Sequence, residues 1–261
     1  MENPFAPPQA DLAAPAPDAA APHMPWEDRA AFPTLGARVI ATLQWLVRRP
    51  AELGPALAAP TDVVPPIGFF ALLALPLTLA IALLGILSPI QPFWQAWMGL
   101  PTPPQPEGFA RTLGMVIALF GAPFGLALGM LIMGLLIHAG LWATGATRSK
   151  VGLVATFRTL LYGSAAGTLA AFPLALCQFL PGVAGQIGQM AYLVFTSLVL
   201  TTWYGLLCAR AHRTDTWRGV LGAWLPFLAF LLCCGACLGS LFAFGGDAFR
   251  EALSKGLQGG M

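Results

Sequence analysis

The sequence predicts an all-α polytopic membrane helix bundle with five transmembrane helices, N-terminus inside and C-terminus outside, plus an N-terminal amphipathic helix. Three observations carry that expectation. Of 261 residues, 57% are hydrophobic and only 9% charged, where a soluble domain carries about 25% charged residues. The charges are also segregated: none falls in 63–106, 112–147, 159–209 or 219–246, and apolar runs of that length are read as membrane spans. Finally, Lys and Arg distribute unequally between the two sides of those runs. Together these exclude a soluble enzyme and a disulfide-stapled secreted domain. A net charge of +2 is too small to imply a polyanion, so no nucleic-acid partner is expected.

Residues 1–24 are Pro/Ala-rich with scattered acids and bury too little to offset ordering entropy. A disordered segment is accordingly expected over 1–32. From 33 to 60 the pattern is that of a cytosolic amphipathic helix. Leu35, Val39, Leu43, Leu46 and Val47 recur at helical spacing, with Arg38, Gln44 and Arg48 off that stripe. Thr34 can cap its start and Pro50 ends it. Such a helix is too short to span. It fits either an in-plane interfacial helix, with Trp26 and Trp45 near the headgroups, or a helix packed on the cytosolic ends of the spans.

The membrane domain is expected over 61–246, followed by a short external tail, 247–261. The first span is placed at 66–88, the second within 113–143 and the fifth at 221–245. Pro181-Gly182 divides the run 159–209 into spans at 159–179 and 188–209. Trp94 and Trp97 are expected as interface anchors in the first outer loop. No basic start with an apolar core opens the chain, so the first span is expected to direct insertion. Arg38, Arg48, Arg49, Arg148, Lys150, Arg158, Arg210, Arg213 and Arg218 border one side, against Arg111, Arg250 and Lys255 on the other. The excess marks the cytosolic side. Arg outnumbers Lys 11 to 2 amid abundant Ala, Gly and Pro, a bias that points to a bacterial cytoplasmic (inner) membrane.

Gly121, Gly125 and Gly129 are spaced by four, and Gly163/Gly167 and Gly235/Gly239 repeat the motif. Small residues at this spacing let backbones approach in lipid. They serve either a homo-oligomer or, the plainer and favoured reading, packing within one chain, with Gly125 at a helix–helix contact. His138 is the ionisable residue inside an uncharged run, and His212 follows the fourth span on the same side. Neither has a carboxylate or cysteine at ligand spacing, so no metal site is expected. Cys233, Cys234 and Cys237 lie within the fifth span, where thiols act as small hydrophobes. No catalytic residue and no cofactor site is expected, because no H-E-x-x-H, G-x-S-x-G or Walker motif occurs.

Several short motifs occur in a fixed order. Pro25-Trp26-Glu27 precedes a run closed by Arg49-Pro50-Ala51-Glu52. His138-Ala139-Gly140-Leu141 and Gly145 follow, then Thr156-Phe157-Arg158 and Tyr162-Gly163-Ser164. Pro173, Pro181-Gly182 and Tyr192 precede Tyr204-Gly205-Leu206, Ala211-His212-Arg213-Thr214 and Arg218. In this order and five-span frame the chain resembles bacterial members of the Yip family, named for interaction with Ypt/Rab GTPases, over about residues 25–240. It departs at Leu53-Gly54, where many bacterial relatives carry paired Phe. The resemblance implies a non-enzymatic membrane adaptor or organiser that binds protein or lipid at its cytosolic face. The expected partners are membrane lipid and an as yet unidentified membrane or cytosolic protein. The expected surface comprises Arg148, Lys150, Arg158, Arg210, His212, Arg213 and Arg218, with Arg158 and His212 as its leading pair. A small-solute transporter or channel is the alternative; charge-free spans weigh against it, because ion selectivity needs buried polar rings.

Overall fold

The computed structural model describes residues 23–58, 62–87, 107–147 and 152–244. Within them lie five helices long and apolar enough to cross a membrane, and no strand. Two short helices come first, α1 (Leu35–Arg48) and α2 (Pro50–Ala58). The long helices are α3 (Val64–Leu87), α4 (Gly108–Ala143), α5 (Gly152–Cys177), α6 (Val183–Ala211) and α7 (Thr216–Phe244). A π-helical stretch, Phe195–Leu200, interrupts α6.

The region 33–60 is not one helix. Thr34 caps α1, its Oγ1 accepting from Ala37 N at 3.2 Å. Pro50, lacking an N–H, ends that helix and opens α2, since the first helical position needs no donor. The break turns α2 onto the bundle: Leu53, Ala56 and Leu57 are buried, and a Cβ on Gly54 would lie 2.6 Å from Arg210 O of α6. Residues 23–32 are likewise folded, correcting the expected disorder there. They form a turn-rich strap in which Met24 is wholly buried and Glu27 N donates to Met24 O at 2.8 Å. Residues 1–22 lie outside the described residues, as do Trp94, Trp97 and the tail from 245.

α5 packs against α1, α2, α3, α4 and α6, which makes it the central helix. Its residues 155–167 are buried apart from Phe157, including five consecutive small or polar positions, 163–167. The third span therefore starts at Gly152, not 159, and carries Arg158 in its second turn. α4 reaches 36 residues, about 54 Å at 1.5 Å per residue, well beyond a hydrocarbon core of ~30 Å.

The strap end of the bundle, where the N-terminal segment packs, is closed by two similar helix ends. α4 finishes with Gly145 at φ +66; Ala146 N donates to Leu141 O at 2.7 Å and Gly145 N to Trp142 O at 3.0 Å. This left-handed stop satisfies the last carbonyls and suits glycine. α6 finishes the same way, with Thr214 N on Ala209 O and Arg213 N on Arg210 O, but its left-handed residue is Arg213 at φ +50.

Small residues do mediate close approach, though not at the stripe singled out in α4. Gly140 abuts Gly222 O, joining α4 to α7. A Cβ on Gly205 would lie 2.5 Å from Val220 Cα, joining α6 to α7. On α5, Gly163 and Gly167 face Leu207, Tyr204 and Leu200 of α6, with added Cβ atoms 3.0–3.2 Å from them. By contrast, a Cβ at Gly125 or Gly129 meets nothing within 4 Å, and at Gly121 only Ile117 of the same helix. These three do not pack against another part of the described chain. Gly235 and Gly239 have surroundings outside the description.

Candidate functional site

Polar and charged side chains converge on the first three turns of α5. Arg158 and Tyr162, four apart, share one face. Thr156, two residues before Arg158, is turned about 200° away. The two faces hold separate polar groups.

On the first face, Arg158 is wholly buried and is satisfied from three directions. Nη2 pairs with Glu27 Oε1 of the strap at 2.5 Å. Nε donates to Leu57 O of α2 at 3.2 Å, and Nη1 to Asp62 O just before α3. The Tyr162 hydroxyl donates to the same Glu27 oxygen at 2.7 Å. Arg158 thus ties together the strap, α2, α3 and α5. A buried charge requires such pairing, because removing an ion from water costs several kcal/mol per ion even after relaxation. The strap is anchored beside it: Trp26 Nε1 donates to Pro65 O at 2.7 Å, and its ring packs edge-on to Phe69 at 5.3 Å. Arg38 of α1 lies over the same indole at 5.1 Å.

On the opposite face, the Thr156 hydroxyl sits between two imidazoles. His138 Nδ1 of α4 is 3.0 Å from Oγ1, and His212 Nε2 at the end of α6 is 2.9 Å from it. The rings are 6.1 Å apart between centroids. One hydroxyl carries one proton, so it donates to at most one of the two nitrogens and accepts from at least one of them. His212 is 1% exposed; burial, then the neighbouring His138, push its pKa down to about 4. Among the described residues no group of three or more His, Cys, Asp or Glu could hold a metal ion.

This geometry corrects the surface expected from sequence. Arg158 and His212 are interior residues, not part of an exposed face. Arg158 finds protein carbonyls and a carboxylate because the strap, α2 and α3 surround the start of α5. His212 is buried because α6 ends against α4 and α5. Arg210 and Arg213 are exposed. Arg218 is half-buried, 3.3 Å from Asp215 and over the Trp217 ring at 5.2 Å. Arg148 and Lys150 lie outside the described residues. Cys233 is an exposed free thiol on α7, while the side chains of Cys234 and Cys237 are outside the description.

Glu27, Tyr162 and Thr156 were not marked as site residues from sequence. Their signal was faint: one of two adjacent acids after Trp26, and a Tyr one helical turn beyond an Arg. A separate cavity of 370 Å3 lies between α3, α4 and α5, lined by side chains such as Ile67, Phe70, Met130 and Leu161, and is apolar.

No family model, no curated protein and no solved structure matches the chain. What the fold defines is a class: an all-α bundle with five helices able to span a membrane, whose most polar interior lies at the strap end.

Proposed function

We propose that the chain is a non-enzymatic, Yip-like adaptor or organiser of the bacterial cytoplasmic membrane, oriented N-inside and C-outside, that binds its partner at the strap end. The observation that carries this reading is the Glu27–Arg158–Tyr162 latch. It fixes an N-terminal strap onto the bundle and so gives that end a defined surface rather than a loose leader. Exposed Arg210 and Arg213, with Arg48 of α1, give the surface its basic character. The nine-to-three excess of Lys and Arg supports a cytosolic side for this end. The latch is satisfied internally, so it holds shape; recognition falls to the exposed arginines.

The test is crosslinking and affinity capture from native membranes, comparing the parent with Arg210→Ala/Arg213→Ala. The double variant should retain abundance and lose captured partners. An unchanged capture profile removes the reason for placing function on this face. Reporter fusions at Lys150 and Gly246 should give opposite sidedness; the same sidedness at both would sink the orientation.

A further inference from the structure

α1 presents three sides. At 100° per residue, Val39, Thr42 and Leu46 share one side, which packs on the bundle, with Thr42 and Leu46 buried. Ile40 and Val47 share the next, and they are bare, 58% and 73% exposed. Gln44 and Arg48 share the third, also exposed. Along this third side lies a hollow of 250 Å3 lined by Phe32, Ala41, Gln44, Trp45, Arg48 and Arg49. Arg49 stacks over the Trp45 ring at 5.7 Å. Arg48 makes no ion pair among the described residues. A 14-residue helix is too short to cross a bilayer. Bare aliphatic side chains beside a basic, aromatic-lined hollow are the arrangement of a helix lying in the membrane interface.

We propose that this hollow is a binding site for the headgroup of an anionic glycerophospholipid. The phosphate is held by Arg48 and Gln44, since a guanidinium fork matches phosphate oxygens. The Trp45 and Phe32 rings lie against the glycerol region, and Ile40 and Val47 enter the acyl boundary. The positive charge of Arg49 adds to the local attraction for anionic lipid. This deepens the adaptor reading by naming the lipid chemistry of the strap end, and rests on it only for placing α1 at the interface.

The experiment measures the melting temperature of the full chain in nanodiscs of phosphatidylcholine with and without phosphatidylglycerol. The parent should gain several degrees from phosphatidylglycerol. Arg48→Gln should lose at least half of that gain, and Arg111→Gln, at the far end of α4, should keep it. The site is overturned if the parent gains nothing, or if both variants lose the gain equally, which would be general charge attraction. Soluble glycerol phosphate added to phosphatidylcholine discs should not reproduce the gain; if it does, the ligand is a free phosphate and the lipid proposal fails. No captured protein enters this measurement, so its failure and that of the adaptor reading are separable.

Discussion

α4 and α5 run side by side, and the more apolar of the two is the more exposed. The most apolar window of α4 has mean hydropathy 2.2 and is 0% buried; that of α5 has 1.6 and is 56% buried. In water the order would be reversed. In lipid, apolar side chains gain little by leaving hydrocarbon for protein, whereas hydroxyls, imidazoles and a guanidinium need protein partners. Between these two helices, burial follows the polar and small residues, such as Thr156, Arg158, Thr159, Gly163 and Ser164.

The largest test of that contrast is Arg158→Ala. It strands the Glu27 carboxylate, whose side chain is 10% exposed, and should cost about 3–5 kcal/mol. Ile117→Ala on the exposed side of α4 should cost under about 1 kcal/mol. Thermal unfolding in detergent, with a Glu27→Gln cycle, checks both; equal costs would break the comparison.

Acid should strike the α5 side next. His212 has a folded pKa of about 4 against 6.5 unfolded, so it is neutral in the folded protein. Between those values the unfolded chain binds more protons. Stability is therefore complete above about pH 6.5 and falls as pH drops toward 4, by up to about 3 kcal/mol. Melting temperatures across that window should show the slope, and His212→Gln should flatten it.

α4 carries the same contrast within itself. Gly140→Leu must push Gly222 away and should cost roughly 1–3 kcal/mol, while Gly125→Leu should be close to neutral in the monomer. A matching loss at Gly125 would mean that a second copy covers that stripe.

The smallest effect is expected where the two helices flanking α5 end. Arg213 adopts the left-handed conformation that Gly145 adopts freely. Arg213→Gly should raise stability by no more than about 1 kcal/mol, readable as a small rise in melting temperature.

The five long helices were legible because charge-free runs outlast any soluble element. Their starts were not. Arg158 closes one such run and reads as a flanking arginine that snorkels to phosphate, yet the helix extends beyond it to Gly152. What decides its place is the strap, whose Glu27 is remote in sequence. The α4 glycines illustrate the opposite error. Their spacing matches a packing motif, but spacing alone does not say whether a neighbouring helix reaches that level: Gly114 meets Ile86 of α3, and Gly134 and Gly140 near the strap end meet α5 and α7, while Gly121, Gly125 and Gly129 between them meet none.

The latch also has a timetable. Glu27 and Arg158 are 131 residues apart. At about 5–20 residues per second, the ribosome delivers the arginine on the order of ten seconds after the glutamate. During that interval the first two long helices are made and can already hold the Trp26 indole against Pro65 and Phe69, but the Glu27 carboxylate has not met Arg158 and so remains open to protease and chaperone. Closure coincides with the arrival of the third long helix in register. Protection of the strap is thus a marker of a correctly inserted nascent chain, and a chain stalled before α5 would leave it cleavable.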